Sequence, residues 1–258
     1  MPDETPSSAA PSAAPRALAA VFAHPDDETF SMGAALARYA AAGVVCTILC
    51  ATDGDAGRNS DVAVSSRAEL AAARRAELHA AARVLGVRDV WSLGLGDGEL
   101  PRADADALTG EIVRFLRAQR PQVVVTFGPE GAPNAHRDHR AISRAATAAF
   151  FLAGLTTAFP DQLDDGLAPH APARLYYASW EPPRLGGPID VEAVPLTARL
   201  DARPWNAAKV RAFEAHRTQR SLRDRFVATA LTDAECFALA AGVAQPVPVV
   251  DDLFAGLG

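Results

Sequence analysis

Short apolar runs alternate along the first part of the chain with longer segments whose apolar residues recur at helical spacing. The apolar runs predict buried strands, and glycine or proline predicts where several of the helices end. Strand and helix alternate four times, which is typical of an α/β fold in which helices cover both faces of a parallel sheet. The predicted strands are residues 17–23, 44–51, 89–93 and 123–127, and the helices that follow them are residues 29–42, 65–85, 104–120 and 137–153.

The alternation weakens beyond residue 156. Residues 174–180 and 191–200 have the composition of strands, and residues 204–219 resemble a helix with proline in its first turn. Cys236 lies in a segment that we interpret as a late helix. The second half of the chain therefore predicts additional strands and helices but no simple continuation of the alternating pattern.

The same pattern predicts the domain organisation. Residues 1–16 are rich in proline, serine and alanine and predict a disordered tail. Residues 182–188 are rich in proline and predict a loop rather than a linker between domains. With no internal repeat in the sequence, we expect residues 17–258 to form a single domain.

Composition and charge exclude several classes of partner. Of the 258 residues, 49% are hydrophobic and 22% charged, and the net charge of −6 argues against a nucleic-acid backbone or an anionic membrane as the main partner. The three cysteines form no C-x-x-C motif, which is typical of a reducing compartment. The sequence shows no signal peptide and no apolar stretch suited to crossing a bilayer. We therefore expect a cytoplasmic protein.

Chemically active residues are concentrated in two loops that follow predicted strands. Residues 23–28 read Ala-His-Pro-Asp-Asp-Glu after the first strand, and residues 136–139 read His-Arg-Asp-His after the fourth. Three of the six histidines lie in these two loops. Ligands of open α/β sheets bind outside the carboxyl ends of the strands, so both loops are placed where a site is expected.

The spacing in both loops suits a metal ion. His24 and Asp27 are three residues apart, as are His136 and His139, so each pair can point to one side of a helical turn. Catalytic zinc takes three such ligands and leaves one position for water, and Asp26 could then act as the base beside that water. Taken singly, each motif also fits a helix cap or a surface histidine pair. Their joint occurrence at two strand ends favours a metal site.

These motifs resemble the signatures of the LmbE-like, or PIG-L, family of N-acetylglucosaminyl deacetylases. Weaker similarities extend the resemblance from about residue 18 to about residue 240. They comprise Arg74-x-x-Glu77-Leu78, Leu85-Gly86-Val87, residues 121–126, and Lys209, Ala212, His216 and Gln219 in a late helix. The resemblance implies a Rossmann-like three-layer sandwich with a mostly parallel sheet.

The resemblance also implies roles for eight residues and a small amino-sugar substrate. Those roles are zinc ligation by His24, Asp27 and His139, general base and then acid catalysis by Asp26, oxyanion stabilisation by a protonated His136 held by Asp138, and contacts to sugar hydroxyls by Arg74 and Asp97. Ferrous iron fits the same ligand types as zinc. For Arg74 an ordinary solvated position on its helix is an equal alternative, and His216 fits the site, the core or an interface.

Several alternatives remain open in the sequence. Residues 131–135 depart from the glycine-rich loop common in the family, which bears on the substrate rather than on the metal. An amidase or deacylase acting on a non-sugar amide or a thiol conjugate is one rival. A non-catalytic Rossmann-like binding module is another, although no G-x-G-x-x-G follows the first strand. A homo-oligomer is possible, because the apolar residues 236–250 could pack on the core or on a second subunit.

Overall fold

The computed structural model describes residues 15–60, 63–180 and 195–257. In this part of the chain seven strands form one sheet, in the order β3-β2-β1-β4-β5-β7-β6. The strands are β1 (Ala17–Phe22), β2 (Val45–Thr52), β3 (Asp89–Leu95), β4 (Val123–Phe127), β5 (Arg174–Ser179), β6 (Ala198–Asp201) and β7 (Ala234–Gly242). The first five strands pair in parallel, whereas β7 runs antiparallel to both of its neighbours.

Helices form a layer on each face of this sheet. Helices α1 and α2 pack against α6, whereas α3 packs against α4, as right-handed connections between parallel strands require. The helices of the described residues are α1 (Asp27–Ala41), α2 (Arg67–Val84), α3 (Ala105–Gln119), α4 (Arg137–Leu152), α5 (Asp161–Asp164), α6 (Asn206–Ala215) and α7 (Arg223–Thr229). The predicted Rossmann-like α/β class is confirmed, as are the eight elements predicted before residue 156, whose ends agree within two residues.

The two central strands, β1 and β4, show why the elements of the first half could be predicted from the sequence. Every residue of both strands is buried, because helices cover both faces of the sheet. Their sequences are accordingly continuous apolar runs rather than alternating ones. Chain connections leave β1 and β4 in opposite directions, so a crevice opens between their carboxyl ends.

Two predictions for the second half are wrong. The segment around Cys236 is the strand β7, because β5 and β6 pair with it on either side. A short apolar run does not distinguish a strand from a buried helix by its periodicity. The helix predicted over residues 204–219 ends at Ala215, since His216 leaves the helical region and a 3₁₀ helix follows at Arg217–Leu222.

Some predictions are only partly covered by the structure. Residues 1–14 of the predicted tail and the loop at residues 182–188 lie outside the described residues. The strand predicted over residues 191–200 overlaps β6, and its first part also lies outside. In the described part of the chain, no helix combines the length and apolar character needed to span a membrane.

The C-terminal segment packs on the core of its own chain. Leu253 and Phe254 are buried in the main apolar cluster, and Tyr39 Oη accepts a hydrogen bond of 2.7 Å from the backbone amide of Leu253. The fully buried Arg174 of β5 donates to the carbonyl oxygens of Val243, Ala244 and Leu253 at 2.9–3.0 Å. This guanidinium therefore joins the sheet to the end of the chain.

Replacing Arg174 with methionine should lower the free energy of unfolding by about 3 kcal/mol, because three carbonyl acceptors lose a charged donor in a buried setting. Chemical denaturation followed by circular dichroism measures this change. Arg211→Met, on the exposed side of α6, is the matched control and should leave the denaturation midpoint in place. Equal behaviour of the two variants would contradict the role given to Arg174.

Candidate active site

The predicted site residues converge at the carboxyl ends of β1 and β4. His24 and Asp26 follow β1 directly, and His136 and His139 follow β4 at the start of α4. A cavity of about 230 Å³ opens between these segments. Seven of the eight predicted residues line it, namely His24, Asp26, Asp27, Arg74, Asp97, His136 and His139. The eighth, Asp138, is fully buried behind them.

The carboxylate of Asp27 lies between two imidazoles. Asp27 Oδ2 is 3.3 Å from His24 Nδ1, and Asp27 Oδ1 is 3.3 Å from His139 Nε2. Two ligand atoms of one tetrahedral zinc lie about 3.4 Å apart, given bonds of roughly 2.0–2.2 Å. Burial opposes ionisation of Asp27, but the imidazoles of His139 and His24 hold its pKa well below the usual range. The spacing and the charge of these donors therefore fit a divalent metal.

Hydrogen bonds orient both imidazoles for such a role. His139 Nδ1 is 3.1 Å from the carbonyl oxygen of Ala132, and its ring stacks on Phe127 with the ring centres 3.9 Å apart. Because Nδ1 faces that carbonyl, Nε2 on the Asp27 side is the nitrogen left to bind a metal. In His24 the two nitrogens exchange these roles. Nδ1 faces Asp27, and Nε2 is 3.1 Å from a carboxylate oxygen of Asp138. Metal-ligating histidines usually donate their second nitrogen in this way.

Further carboxylates surround His24. Asp97 Oδ1 is also 3.1 Å from His24 Nε2, and a backbone amide, that of Gly98, donates to Asp138 Oδ2 at 2.6 Å. Burial opposes the charged imidazolium, yet Asp27, Asp138 and Asp97 raise the pKa of His24 well above its ordinary value. This end of the cavity therefore attracts positive charge.

Two groups of donor atoms lie within 4.8 Å of one another and could hold an ion. One combines His24 with His136 and His139, and the other combines His24 with Asp97 and Asp138. His24 belongs to both groups, and Asp27 to neither. Asp27 nevertheless contacts two of the three histidines, so the predicted set of His24, Asp27 and His139 remains a proposal that these contacts support.

Asp26 has an unusual backbone. It is the N-cap of α1 with φ 104°, a left-handed conformation that is uncommon for residues other than glycine. Its side chain accepts a hydrogen bond of 3.2 Å from Arg74. Burial raises the pKa of Asp26 to about 6, against the opposing charge of Arg74. A carboxyl group with a pKa near neutrality is suited to exchanging protons during a reaction.

Arg74 is buried, which excludes the solvated position that its sequence also allowed, whereas its predicted contact to sugar hydroxyls stays a prediction. Its guanidinium donates to the carbonyl oxygens of Pro25 and Gly54 as well as to Asp26. A β-carbon at Gly54 would collide with this guanidinium, and Gly54 also has a positive φ of 63°. Arg74 therefore holds the carboxylate of Asp26 in place, and its side chain also lines the cavity.

His136 differs from the sequence-based expectation in its partner. The carboxylate of Asp138 contacts His24 and Gly98, whereas His136 Nδ1 accepts a hydrogen bond of 3.2 Å from the backbone amide of Asp138. The carboxylate of Asp138 thus acts on His136 through its charge, which favours the protonated ring, and not through a hydrogen bond, so the predicted role of Asp138 stays a prediction. Burial, then the charges of His24 and His139, lowers the pKa of His136. A neutral ring with its proton on Nε2 is the form that this geometry favours.

Glu28 and His216 form a buried pair behind Asp26. Glu28 Oε2 accepts from the backbone amide of Asp26 at 3.0 Å, and Glu28 Oε1 is 2.8 Å from His216 Nε2. Burial opposes the charged form of His216, but Glu28 raises its pKa. The sequence left the roles of both residues open, because nothing local indicates that positions so far apart in the chain meet.

A second buried ion pair divides α1 into two parts. Met32 leaves the helical conformation, and the carboxylate of Glu235 accepts from the backbone amides of Ala34 and Ala35 at 2.9 and 2.7 Å. Lys209 Nζ bonds Glu235 at 2.6 Å and the carbonyl oxygen of Phe30 at 3.2 Å. This pair stabilises the break, so the first turn of α1 is set separately from the rest. No motif in the sequence marks Glu235, because its partners lie about 200 residues away in the chain.

Comparison with known proteins agrees with this geometry. A sequence model of the PIG-L family, described as GlcNAc-PI de-N-acetylase, matches residues 19–150, half of the chain. The chain belongs to the PIG-L family. A 1D-myo-inositol 2-acetamido-2-deoxy-alpha-D-glucopyranoside deacetylase of Salinispora arenicola is 33% identical, over 94% of this chain and 92% of the relative. A protein of Catenulispora acidiphila with the same name, numbered 2, is 33% identical over 83% of each chain.

Solved structures share the PIG-L family fold. The N,N'-diacetylchitobiose deacetylase of Pyrococcus horikoshii superposes with a TM-score of 0.70 at 23% identity, covering 87% of this chain and 83% of its own. A conserved protein of Thermus thermophilus superposes with a TM-score of 0.66 at 27% identity, and the match covers 90% of this chain and 97% of that protein. A 4-carboxy-2-hydroxymuconate hydratase of Pseudomonas putida superposes with a TM-score of 0.64 at 21% identity, and the match covers 90% of this chain and 99% of the hydratase. Since a hydratase has this fold too, the side chains of the site must decide the reaction.

Replacing Asp27 with asparagine should weaken zinc binding by about 100-fold or more, because it removes the anion that both imidazoles face. Equilibrium dialysis followed by elemental analysis gives the bound metal per chain. His79→Ala, an exposed residue of α2, is the control and should bind zinc like the unaltered protein. An Asp27→Asn variant that retains full zinc affinity would exclude Asp27 as a ligand.

Proposed function

We propose that the protein is a zinc-dependent N-deacetylase that hydrolyses the acetamide of a small N-acetylglucosamine conjugate. The observation that carries this proposal is Asp26, a buried carboxylate held by Arg74 next to the donors His24, Asp27 and His139. Its relatives from Salinispora arenicola and Catenulispora acidiphila are named as deacetylases of an acetamido sugar linked to inositol. We take this N-acetylglucosaminyl inositol as the first substrate to test.

The donor types support zinc as the metal. Two imidazoles and one carboxylate, with room left for water, are the usual ligands of a catalytic zinc. The same set suits ferrous iron, so the choice is made by experiment. When bound, the metal would supply Lewis acidity toward the attacking water and the acetyl carbonyl group.

The residues around this centre can complete the reaction. Asp26 accepts a proton from the attacking water, whose oxygen forms the new bond to the acetyl carbon. His136 donates a hydrogen bond from Nε2 to the carbonyl oxygen as negative charge develops there. The bond from carbon to nitrogen then breaks, and Asp26 gives its proton to the departing amine. The products are acetate and the free amino sugar.

Two features set the conditions for proton transfer. Arg74 and the backbone bond from Asp26 to Glu28 fix the carboxylate in place, so little reorganisation accompanies the reaction. The Nδ1 atom of His136 is occupied by the amide of Asp138, which directs the ring proton to the opposite nitrogen. A neutral His136 can thus act as a donor without first gaining a charge.

The cysteines bear on where this reaction takes place. Cys46, Cys50 and Cys236 are buried thiols, and burial raises the pKa of Cys46 to about 12. Thiols used as small core residues are typical of a reducing compartment. We therefore propose the cytoplasm as the site of action.

Replacing Asp26 with asparagine should lower kcat for acetate release by about 1000-fold, because the general base and acid is lost while the metal ligands remain. The assay measures acetate released from N-acetylglucosaminyl inositol by protein loaded with zinc or, without oxygen, with ferrous iron. Asp106→Asn on the exposed face of α3 is the control and should retain full activity. A chelator should abolish the activity, and added metal should restore it.

Different failures would exclude different parts of the proposal. An Asp26→Asn variant as active as the unaltered protein would exclude Asp26 as the base. A protein that binds one metal ion yet releases no acetate from any N-acetyl amino sugar would exclude the amino-sugar substrate. Full activity of protein stripped of metal would exclude metal dependence.

A further inference from the structure

The peptide unit between Pro25 and Asp26 is held at both of its polar atoms. The carbonyl oxygen of Pro25 accepts a hydrogen bond from Arg74, and the amide of Asp26 donates to Glu28 Oε2 at 3.0 Å. These bonds act next to the φ of 104° at Asp26, a strained conformation that persists only where the surrounding structure enforces it. Because the side chain of Asp26 leaves the backbone at this point, the orientation of the peptide decides where its carboxylate lies.

The second oxygen of Glu28 has two donors of different origin. Thr29 Oγ1 donates to Glu28 Oε1 at 2.6 Å, and His216 Nε2 lies 2.8 Å from the same oxygen. Thr29 follows Glu28 directly in α1, so it moves together with this turn of the helix. His216 stands at the end of α6, and it is therefore the partner that fixes Glu28 relative to the rest of the protein.

The backbone around His216 is anchored away from α1. The amide of His216 donates to the carbonyl oxygen of Phe213 at 3.0 Å. Two residues further on, Thr218 donates to the carboxylate of Glu77 from its amide at 3.0 Å and from its hydroxyl at 2.7 Å. Glu77 lies on α2, as does Arg74. Helix α2 thus supports the peptide before the catalytic carboxylate twice, directly through Arg74 and indirectly through His216.

His216 acts from outside the cavity. The side chains of Glu28 and His216 are almost fully buried, and neither lines the cavity. In the described part of the chain, His216 Nδ1 has no hydrogen-bond partner, so the ring bonds through Nε2 to Glu28 alone. A buried polar pair of this kind adds little net stability over apolar packing, but it defines one geometry. His216 is therefore placed to orient Glu28 rather than to contact a substrate.

We propose that His216 is a positioning residue, which acts through Glu28 on the peptide unit before Asp26 and so sets the direction of the catalytic carboxylate. This inference rests on the proposed deacetylase function, in which Asp26 exchanges protons with the attacking water and the departing amine. Proton transfer needs a short and aligned contact, so a small displacement of the carboxylate slows it. Loss of the bond from His216 to Glu28 should therefore slow the chemical step and leave substrate and metal binding in place.

Two substitutions of His216 test this role in the zinc-loaded protein, with N-acetylglucosaminyl inositol as the substrate. His216→Phe keeps a planar ring but removes the donor, and kcat for acetate release should fall by about 10- to 100-fold. KM and the affinity for zinc should each change by less than about twofold, because the interaction acts on the chemical step. His216→Gln keeps a nitrogen donor within reach of Glu28, so kcat should recover to within about threefold of that of the unaltered protein.

Two comparisons separate positioning from a general loss of stability. Arg174→Met removes buried hydrogen bonds at the amino end of β5, away from the site, and should keep kcat although the fold is less stable. In Asp26→Asn the catalytic carboxylate is already absent, so the addition of His216→Phe should cause no further loss of kcat. Residues that act as one unit show such non-additive losses, whereas the effects of independent residues multiply.

Hydrogen exchange of backbone amides, followed by NMR, tests the same contact without the reaction. His216→Phe should speed exchange of the Asp26 amide by about tenfold or more, because Glu28 is no longer fixed. The amides of Ala34 and Ala35, which Glu235 holds on the same helix, are the internal control and should exchange at their original rates.

Four results would overturn the inference. They are an unchanged kcat in His216→Phe, a KM or zinc affinity that changes as much as kcat, a His216→Gln variant no more active than His216→Phe, and a further loss of kcat when His216→Phe is added to Asp26→Asn. If no compound is deacetylated, the proposed function fails by itself, and hydrogen exchange then decides the inference. Faster exchange confined to the Asp26 amide would support it, and unchanged exchange would exclude it.

Discussion

Two adjacent carboxylates, Asp26 and Asp27, are buried at one end of the sheet, and isolated buried charges of one sign are strongly unfavourable. The structure compensates each of them differently. Asp27 lies between two imidazoles, whose nitrogens are 3.3 Å from its oxygens. Asp26 has a single cation, Arg74, and retains a pKa of about 6. The pair therefore combines a permanent anion, suited to a metal, with a carboxyl group suited to proton transfer.

This compensation requires residues from distant parts of the chain, and the sheet order brings them together. The crevice between β1 and β4 unites His24 with His139, although 115 positions separate them in the numbering. Around this centre, the pairs Glu28–His216 and Lys209–Glu235 fix the backbone at the start of α1. A buried pair of this kind adds little net stability but defines one geometry, which is the property that a catalytic centre needs.

The features that could be predicted from the sequence follow from local physical rules. Strands β1 and β4 are apolar throughout because both faces of the sheet are covered, and the two histidine motifs share one crevice because ligands bind at the carboxyl ends of the strands. The features that could not be predicted depend on contacts between distant residues. The strand β7 exists because β5 and β6 pair with it, which its own composition does not reveal. The partner of Asp138 and the burial of Arg74 likewise depend on side-chain contacts that become defined only in the folded chain.

The break at Met32 and its partner Glu235 have a consequence for how the protein is made. The proposed metal donors all precede residue 140, but the carboxylate that caps the second part of α1 belongs to Glu235. During synthesis, the amino-terminal strands and helices emerge from the ribosome before β7 does. The second part of α1 acquires its cap only when β7, which holds Glu235, pairs beside β5. A nascent chain that still lacks this strand therefore has the side chains of the site without the support that Glu235 gives to α1.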